Sequence, residues 1–332
     1  MQLTARALRF VAPRRVEIET VDVVGPNDGE VLVETWYSGI SSGTEMLAYR
    51  GRIDPGLALD DTIDALGGTF RYPFGYGYSC VGRVSKSRSP IPEGSLVFGF
   101  HPHQDRFVAP AADLVVLEGR PREATLFPLV ETAFQIVLDA GPLLGSRVAV
   151  LGLGAVGAVT ALLLRRSGAS VVAVDPSPWR RDVVKGLGDR DLVTVDQAEA
   201  SAAIEAGGGP VPLVIEASGN PAALRAGLDL LAHEGVALVA SWYGSEDVVL
   251  PLGGAFHRRR LTIRSTQVST IPARLAANWD LAGRRRAVAD LLTELPLTPL
   301  ASHVFPFDQA GDAYASLDES ADGIMHVALE YR

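Results

Sequence analysis

At 332 residues, 47% hydrophobic and 21% charged, the chain is long enough for two domains of ordinary size and apolar enough for a normal core. A formal net charge of -9 argues against a nucleic-acid-binding surface, and a single cysteine, Cys80, excludes an internal disulfide and any cysteine-rich zinc site. The opening stretch MQLTARALRFVAPRR has no apolar signal-like core, and no long apolar tail or lipidation motif follows, so a cytoplasmic protein with no membrane partner is expected.

The first part of the chain alternates in the β manner. Ala5–Val11, Val16–Val23 and Glu30–Ser38 read as strands, separated by Pro13-Arg14-Arg15 and by the turn formers Gly25 to Gly29. A small polar loop, Ser38-Gly39-Ile40-Ser41-Ser42-Gly43-Thr44-Glu45, leads into a helical turn at Met46–Tyr49. Residues 51–72 hold several turn formers and read as an irregular excursion, which in a compact protein is more often functional than not. Phe74–Ser85 is apolar and glycine-punctuated, Ser95–Phe100 is a strand, and His101–Asp105 is a polar loop. Arg106–Pro110 and Leu114–Leu117 close a region whose short strands and glycine turns predict a barrel-like β domain.

From Arg122 the pattern becomes helical, with Ala124–Ala140 stopped by Gly141-Pro142. Next comes RVAVLGLGAVGAVTALLLRRSGASVVAVD, Arg147 to Asp175, which reads as strand, glycine turn, helix, strand. Trp179–Leu187 is a helix, Leu192–Thr194 a strand, Gln197–Ala206 a helix and Pro212–Glu216 a strand. After Ala217-Ser218-Gly219, Asn220 caps a helix with Pro221 at its first position. Val236–Ala240 and Leu261–Ser265 are further strands, and the alternation predicts a doubly wound parallel sheet. Helices at Arg284–Leu295 and Asp308–Leu317, with strands at Ala301–Phe305 and His326–Tyr331, complete the N-terminal β domain.

The glycine turn carries the first chemistry. Gly152 permits a tight turn, Gly154 lets a pyrophosphate approach the backbone, and Gly157 lets the helix lie close to the strand. The helix N-terminus at Ala155 and Val156 then presents free N–H groups to phosphate oxygens. Asp175 stands where a carboxylate meets the adenosine ribose hydroxyls, so dinucleotide binding is expected. Val148–Leu164 is apolar enough to suggest a membrane span, but its glycines and flanking arginines favour a buried strand and helix. Asp175 favours NAD by repelling a 2′-phosphate, while Arg180 and Arg181 leave NADP open.

Four stretches carry a family resemblance: SGISSGTEMLAYRG (38–51), GYGYSCVGRV (75–84), GLGAVG (152–157) and IEASGNPAAL (215–224). With the order of domains, they resemble the medium-chain dehydrogenase/reductase superfamily over the whole chain. The first segment looks most like the branch of bacteriochlorophyllide a dehydrogenase and its zinc-free relatives, and is also similar to the threonine and polyol dehydrogenases. The resemblance implies an α/β chain with a GroES-like β-rich catalytic domain at 1–127 and 272–332 and a Rossmann doubly wound parallel sheet at 128–271. It also implies a homodimer paired through Leu261–Ser265.

The departures from that family bear on metal. Its zinc-dependent members read Gly-Ile-Cys-Gly-Ser/Thr-Asp in the first segment. Aligned through Tyr49-Arg50-Gly51, the cysteine ligand falls on Ser42 and the relay hydroxyl on Thr44; a one-residue shift moves the ligand to Ser41. In the second segment Gly77 matches, Tyr78 takes the histidine ligand position and Ser79 replaces glutamate. The third ligand position falls on Phe127. Serine and phenylalanine are not ordinary zinc ligands and tyrosine is rare, so no zinc is expected. His101 and His103 are the residual metal option, against ordinary surface histidines.

Without zinc, hydrogen-bond donors must handle the substrate oxygen. Tyr78 is the first candidate, against a packed aromatic beside Tyr76; Thr44 is the second, against a loop-capping hydroxyl. Ser42 and Glu45 share that loop, with Glu45 matching an acid that lies behind the site in relatives. His103 is a proton-transfer candidate, against a surface histidine. By resemblance, Glu131 and Thr132 line the nicotinamide pocket. Ser218, Ser241, Trp242 and Gln267 lie at strand ends where such folds bind ligand. The basic run Phe256–Arg260 reads as a solvated loop before an anion or subunit contact, and residues 51–72 with Trp242–Gly244 are expected to set the substrate. The expected function is a zinc-independent NAD(P)-dependent oxidoreductase interconverting an alcohol and a ketone or aldehyde of small size. A C=C (quinone or enoyl) reductase and a non-catalytic dinucleotide-binding protein are the alternatives.

Overall fold

The computed structural model describes residues 3–319 and 323–331. The chain divides into two compact units: Met1–Pro128 with Ala282–Arg332, and Leu129–Leu281. The return to the β-rich unit thus falls at Ala282, ten residues after the expected position. The reason is packing. Arg274 donates to the carboxylate of Asp139 at 3.0 Å and Trp279 packs edge-on to Phe134 at 5.2 Å, which ties this stretch to the nucleotide-type unit.

The β-rich unit holds a three-stranded sheet and a seven-stranded sheet. In the smaller, Leu3–Ala12 pairs with Arg15–Val23 and with the short strand Phe74–Gly75. In the larger, Glu30–Ile40 is the hub, pairing antiparallel with Cys80–Ser87, Arg106–Pro110 and Val327–Glu330. Val31, Val33 and Ile40 on that strand are fully buried. The last strand of the chain therefore closes the sheet begun by the first hundred residues, as the sequence pattern predicts. The apolar run from Phe74 is broken: residues 76–79 leave the strand geometry before Cys80–Ser87 resumes it. Residues 51–72 form neither helix nor strand, yet Ile53, Leu59, Leu66 and Phe70 from this excursion are buried in the core. There they meet a set of aromatic rings: Phe10 stacks on Phe74 at 5.2 Å, and Tyr314 stacks on Tyr49 at 5.2 Å.

The second unit is a six-stranded sheet with the order Val193–Val195, Ser170–Val174, Arg147–Leu151, Val211–Glu216, Leu231–Val239, Thr262–Ser265. Every pairing in it is parallel. Burial on both faces explains the unbroken apolar runs, since Val148, Ala149 and Val150 are all fully buried. Strand order reverses beside Arg147–Leu151, the first strand laid down, so the crevice at its carboxyl end is the expected ligand position. Asn220 caps the helix Pro221–Leu230, its side chain accepting from the Ala222 N–H at 2.9 Å. The helix Ala155–Arg166 is buried along most of its length, which accounts for its membrane-like composition. Among the described residues, no helix is long and apolar enough to cross a membrane.

One buried group in the β-rich unit sets an acid limit on stability. His326 is 2% exposed, and its Nε2 lies 2.9 Å from the Thr125 hydroxyl. Burial, helped by the Arg122 charge, lowers its pKa to about 3. An unfolded histidine takes up its proton near pH ~6.5. Between these limits protonation favours the unfolded chain, so stability falls with pH by at most ~1.4 kcal/mol per pH unit. His326→Gln is expected to flatten the loss of stability between pH ~6.5 and ~4 in denaturant titrations. An unchanged slope would place the acid sensitivity elsewhere.

Candidate active site

Each unit holds candidate residues of its own. In the nucleotide-type unit they begin where Arg147–Leu151 ends. Gly152 has φ +93°, and a Cβ there would meet Ser218 Cα at 2.5 Å. A Cβ on Gly157 would stand 1.9 Å from the Gly152 carbonyl oxygen, so helix and turn touch backbone to backbone. Gly154 differs, because a Cβ there would meet nothing within 4 Å. That open space lies at the start of the helix Ala155–Arg166, where Gly154 is the cap and offers no side-chain acceptor. The first-turn N–H groups of Ala155, Val156 and Gly157 have no acceptor within the helix itself. Together these groups form a cradle fitted to a pyrophosphate.

Asp175 follows Ser170–Val174 and is 2% exposed. One carboxylate oxygen accepts from the Leu153 N–H at 2.7 Å and the other from the Ser177 N–H at 2.8 Å. The acid thereby braces the glycine turn and keeps lone pairs for ribose hydroxyls. Arg180 lies 3.8 Å from the same carboxylate, and Arg181 donates to the Asp175 carbonyl at 2.5 Å. Both arginines are thus already engaged with the acid's own segment.

A second buried acid, Glu216, ends the neighbouring strand. It accepts from the Ser218 N–H at 2.7 Å, the Ser218 hydroxyl at 2.6 Å and the Tyr243 phenol at 2.7 Å. Burial and this carboxylate both push the Tyr243 pKa well up, so its phenol stays a donor. The Ser241 hydroxyl accepts from the Gly219 N–H at 2.8 Å. Trp242 is 43% exposed and Gln267 is exposed, its amide bonded to Ser269. Glu131 is buried and Thr132 half-buried on the helix Phe127–Ala140. The basic run is used internally: Arg259 donates to two backbone carbonyls, and Arg260 pairs with Glu234 at 2.9 Å.

The β-rich unit holds a second set of candidate residues. Glu45, on the helix Thr44–Tyr49, is fully buried. One oxygen accepts from the Ser41 N–H at 2.8 Å; the other accepts from the Tyr314 phenol at 2.5 Å and lies 2.8 Å from His103 Nε2. His103 Nδ1 lies 2.7 Å from the Ser38 hydroxyl, which in turn is 2.8 Å from the Tyr331 phenol. His103 is therefore interior, not a surface residue, and both its ring nitrogens are occupied. It is too deep to exchange a proton directly with a substrate.

Tyr78 stands in front of this network. Its ring packs edge-on to Tyr76 at 6.0 Å, and the side chains of Ser41 and Thr44 lie beside its phenol. Burial and the nearby Glu45 charge raise its pKa while the two hydroxyls lower it, and the net shift is upward. Ser42 is exposed and Ser41 is buried, so the structure corrects the loop register: Ser41, not Ser42, meets Tyr78. The extra residue in the loop is what displaces Ser42 outward.

Zinc was tested against these residues. Phe127 stacks on Phe98 at 4.3 Å as core, and Glu45 is saturated by its three donors. His101 stacks on Phe107 at 4.1 Å, with a pKa lowered to about 4 by burial, and does not converge with His103. Among the described residues, no three His, Cys, Asp or Glu side chains are grouped to hold a metal ion. The donor set does not fit zinc.

Sequence reasoning missed the role of Ser38, which opens a quoted motif, and of Tyr314 and Tyr331, whose positions carry no local motif. Glu216 lay inside a quoted motif, and its buried strand-end position was the available signal.

A glycine turn at a helix N-terminus in a doubly wound sheet, and a β-rich unit carrying buried polar side chains, are the features of a dinucleotide-dependent dehydrogenase. The family described as zinc-binding dehydrogenase matches residues 155–284. The 2-desacetyl-2-hydroxyethyl bacteriochlorophyllide A dehydrogenase of Cereibacter sphaeroides is 25% identical over 98% of both chains. The sorbitol dehydrogenase of Mus musculus is 28% identical over 71% of this chain and 63% of its own. Among solved structures, a short chain alcohol dehydrogenase from Escherichia coli CFT073, complexed with NADH, superposes with TM-score 0.78 over 99% of both chains at 16% identity. The chain is similar to the zinc-type alcohol dehydrogenase-like group of the medium-chain dehydrogenase/reductase superfamily, and is an NAD(P)-dependent oxidoreductase. The match to the zinc-named family falls mostly on the nucleotide-type unit and stops short of the loops at Ser41–Glu45 and Gly77–Ser79.

The two glycines separate fold from function in a direct test. Gly154→Val should leave the melting temperature nearly unchanged while weakening NADH binding about ten-fold or more, read by nucleotide fluorescence. Gly157→Val should lose stability instead, through its clash with Gly152.

Proposed function

We propose that this chain is a zinc-independent, NAD-preferring oxidoreductase that interconverts an alcohol and a ketone or aldehyde on a small-molecule substrate. The observation that carries this reading is the hydroxyl set Ser41, Thr44 and Tyr78, standing where zinc-dependent relatives place a ligand loop. A bound nicotinamide would supply the hydride. The chain's own part is to bind the nucleotide through Gly152, Gly154, Gly157 and Asp175, and to hold a proton on Tyr78 Oη. A phenol kept protonated by burial can donate to a substrate oxygen as it gains charge. Ser41 and Thr44 fix the direction of that donor. Thr132, Ser218, Ser241, Trp242 and Gln267 are further contacts for the nucleotide in this reading. A homodimer paired along the edge strand Thr262–Ser265 and a cytoplasmic location belong to the same reading.

Two measurements test it. In the first, Tyr78→Phe should lower kcat by about 100-fold with NADH binding intact, in protein shown by metal analysis to carry no stoichiometric zinc. One zinc per chain, lost together with activity on chelation, would overturn it; so would full turnover in the variant. Activity confined to enones or quinones would move the assignment to C=C reduction.

The second concerns nucleotide choice. Asp175→Ser should raise the NADH dissociation constant several-fold and narrow the preference over NADPH. An unchanged ratio would remove Asp175 from the ribose-binding role.

A further inference from the structure

Glu45 is a fully buried acid of the β-rich unit, and the reaction assigned to Tyr78 does not call on it. It makes no hydrogen bond to Tyr78. Its bonds go to the Ser41 N–H, to Tyr314 and to His103. Ser41 lies just beyond the strand Glu30–Ile40, where ladder pairing has ended with Ile40 opposite Val327. Its N–H is therefore held by a side chain alone. The side chain of the same residue lies beside the Tyr78 phenol. Whatever fixes Glu45 thus fixes the Ser41 turn, and with it the phenol's neighbours.

We propose that Glu45, His103 and Tyr314 are positioning residues: the last two clamp the Glu45 carboxylate, which holds the Ser41–Thr44 turn so that its hydroxyls seat Tyr78. This rests on the reading of Tyr78 as proton donor. The bonding directions are consistent from end to end. A carboxylate only accepts, so His103 Nε2 carries the hydrogen and Nδ1 takes one from Ser38, leaving the Ser38 oxygen to accept from Tyr331. His103, isolated from solvent, acts through Glu45 and not on a substrate.

The test uses the full-length protein. Tyr314→Phe removes one donor to Glu45 and keeps the ring stacked on Tyr49. Amide hydrogen exchange at Ser41 should quicken about five-fold or more, the size set by one charge-assisted hydrogen bond, while Gly39 and Ile40 stay protected. The kcat should fall by a similar factor with NADH binding unchanged. The double variant Tyr78→Phe/Tyr314→Phe should be no slower than Tyr78→Phe alone, because both changes act on one donor. Glu45→Gln serves as a second probe if Tyr314→Phe folds poorly. Its amide carbonyl can still accept from Ser41, and its NH2 should force His103 into the opposite tautomer, visible in the ring 15N shifts.

Unchanged exchange at Ser41, or losses that multiply in the double variant, would overturn the proposal. Quickened exchange at Ser41 supports the positioning role even if Tyr78→Phe keeps full turnover. That last result would overturn the donor reading of Tyr78 instead.

Discussion

A carboxylate buried at a chain turn, and satisfied there by backbone N–H groups, is the constraint on which both halves of this molecule depend. Taking an ionised carboxylate out of water costs several kcal/mol, and only a full set of donors offsets it. Glu45 meets that condition with the Ser41 N–H, Tyr314 and His103. Asp175 meets it with the N–H groups of Leu153 and Ser177, and Glu216 with Ser218 and Tyr243. Each acid is 3% exposed or less. Each sits at the end of a strand or the start of a helix, where the backbone would otherwise be free to choose among turn conformations.

The same device serves different ends in the two units. In the nucleotide-type unit Asp175 and Glu216 flank the glycine turn, one bonded to Leu153 within it and the other holding Ser218 against Gly152. Rigidity there keeps the cradle at Gly154 open. In the β-rich unit Glu45 holds a turn whose product is a hydroxyl cluster and a protonated phenol.

Much of this was legible in the sequence, and the limits have physical causes. The strand–turn–helix from Arg147 announced itself through three glycines, of which Gly152 and Gly157 are each required by a local contact and Gly154 leaves open space at the helix start. The doubly wound sheet followed from continuous apolar strands alternating with helices. That Tyr78 and Phe127 are poor zinc ligands was readable from residue type alone. The loop register was not readable. Ser41 and Ser42 are the same residue, and only burial distinguishes the one that turns inward. The Glu45 network was out of reach for another reason. Tyr314 is 269 positions away from Glu45, and nothing in a helix such as Ala310–Glu319 signals which distant acid its tyrosine will meet. His103 was singled out as a proton carrier by its chemistry, but its depth was set by folding that places Leu3–Ala12 and Glu30–Ile40 around it.

The closure of the large sheet by Val327–Glu330 has a consequence for how the chain is made. The nucleotide-type unit is one uninterrupted stretch, and all its sheet partners have been synthesised once residue 265 emerges. The β-rich unit lacks a strand beside Glu30–Ile40 until Val327–Glu330 has left the ribosome. During translation the later-encoded unit can therefore reach its native state while the earlier one still carries an open edge. That exposed edge, with Ser38, Ile40 and the Ser41 turn at its margin, is the part of the nascent protein most in need of a chaperone's cover.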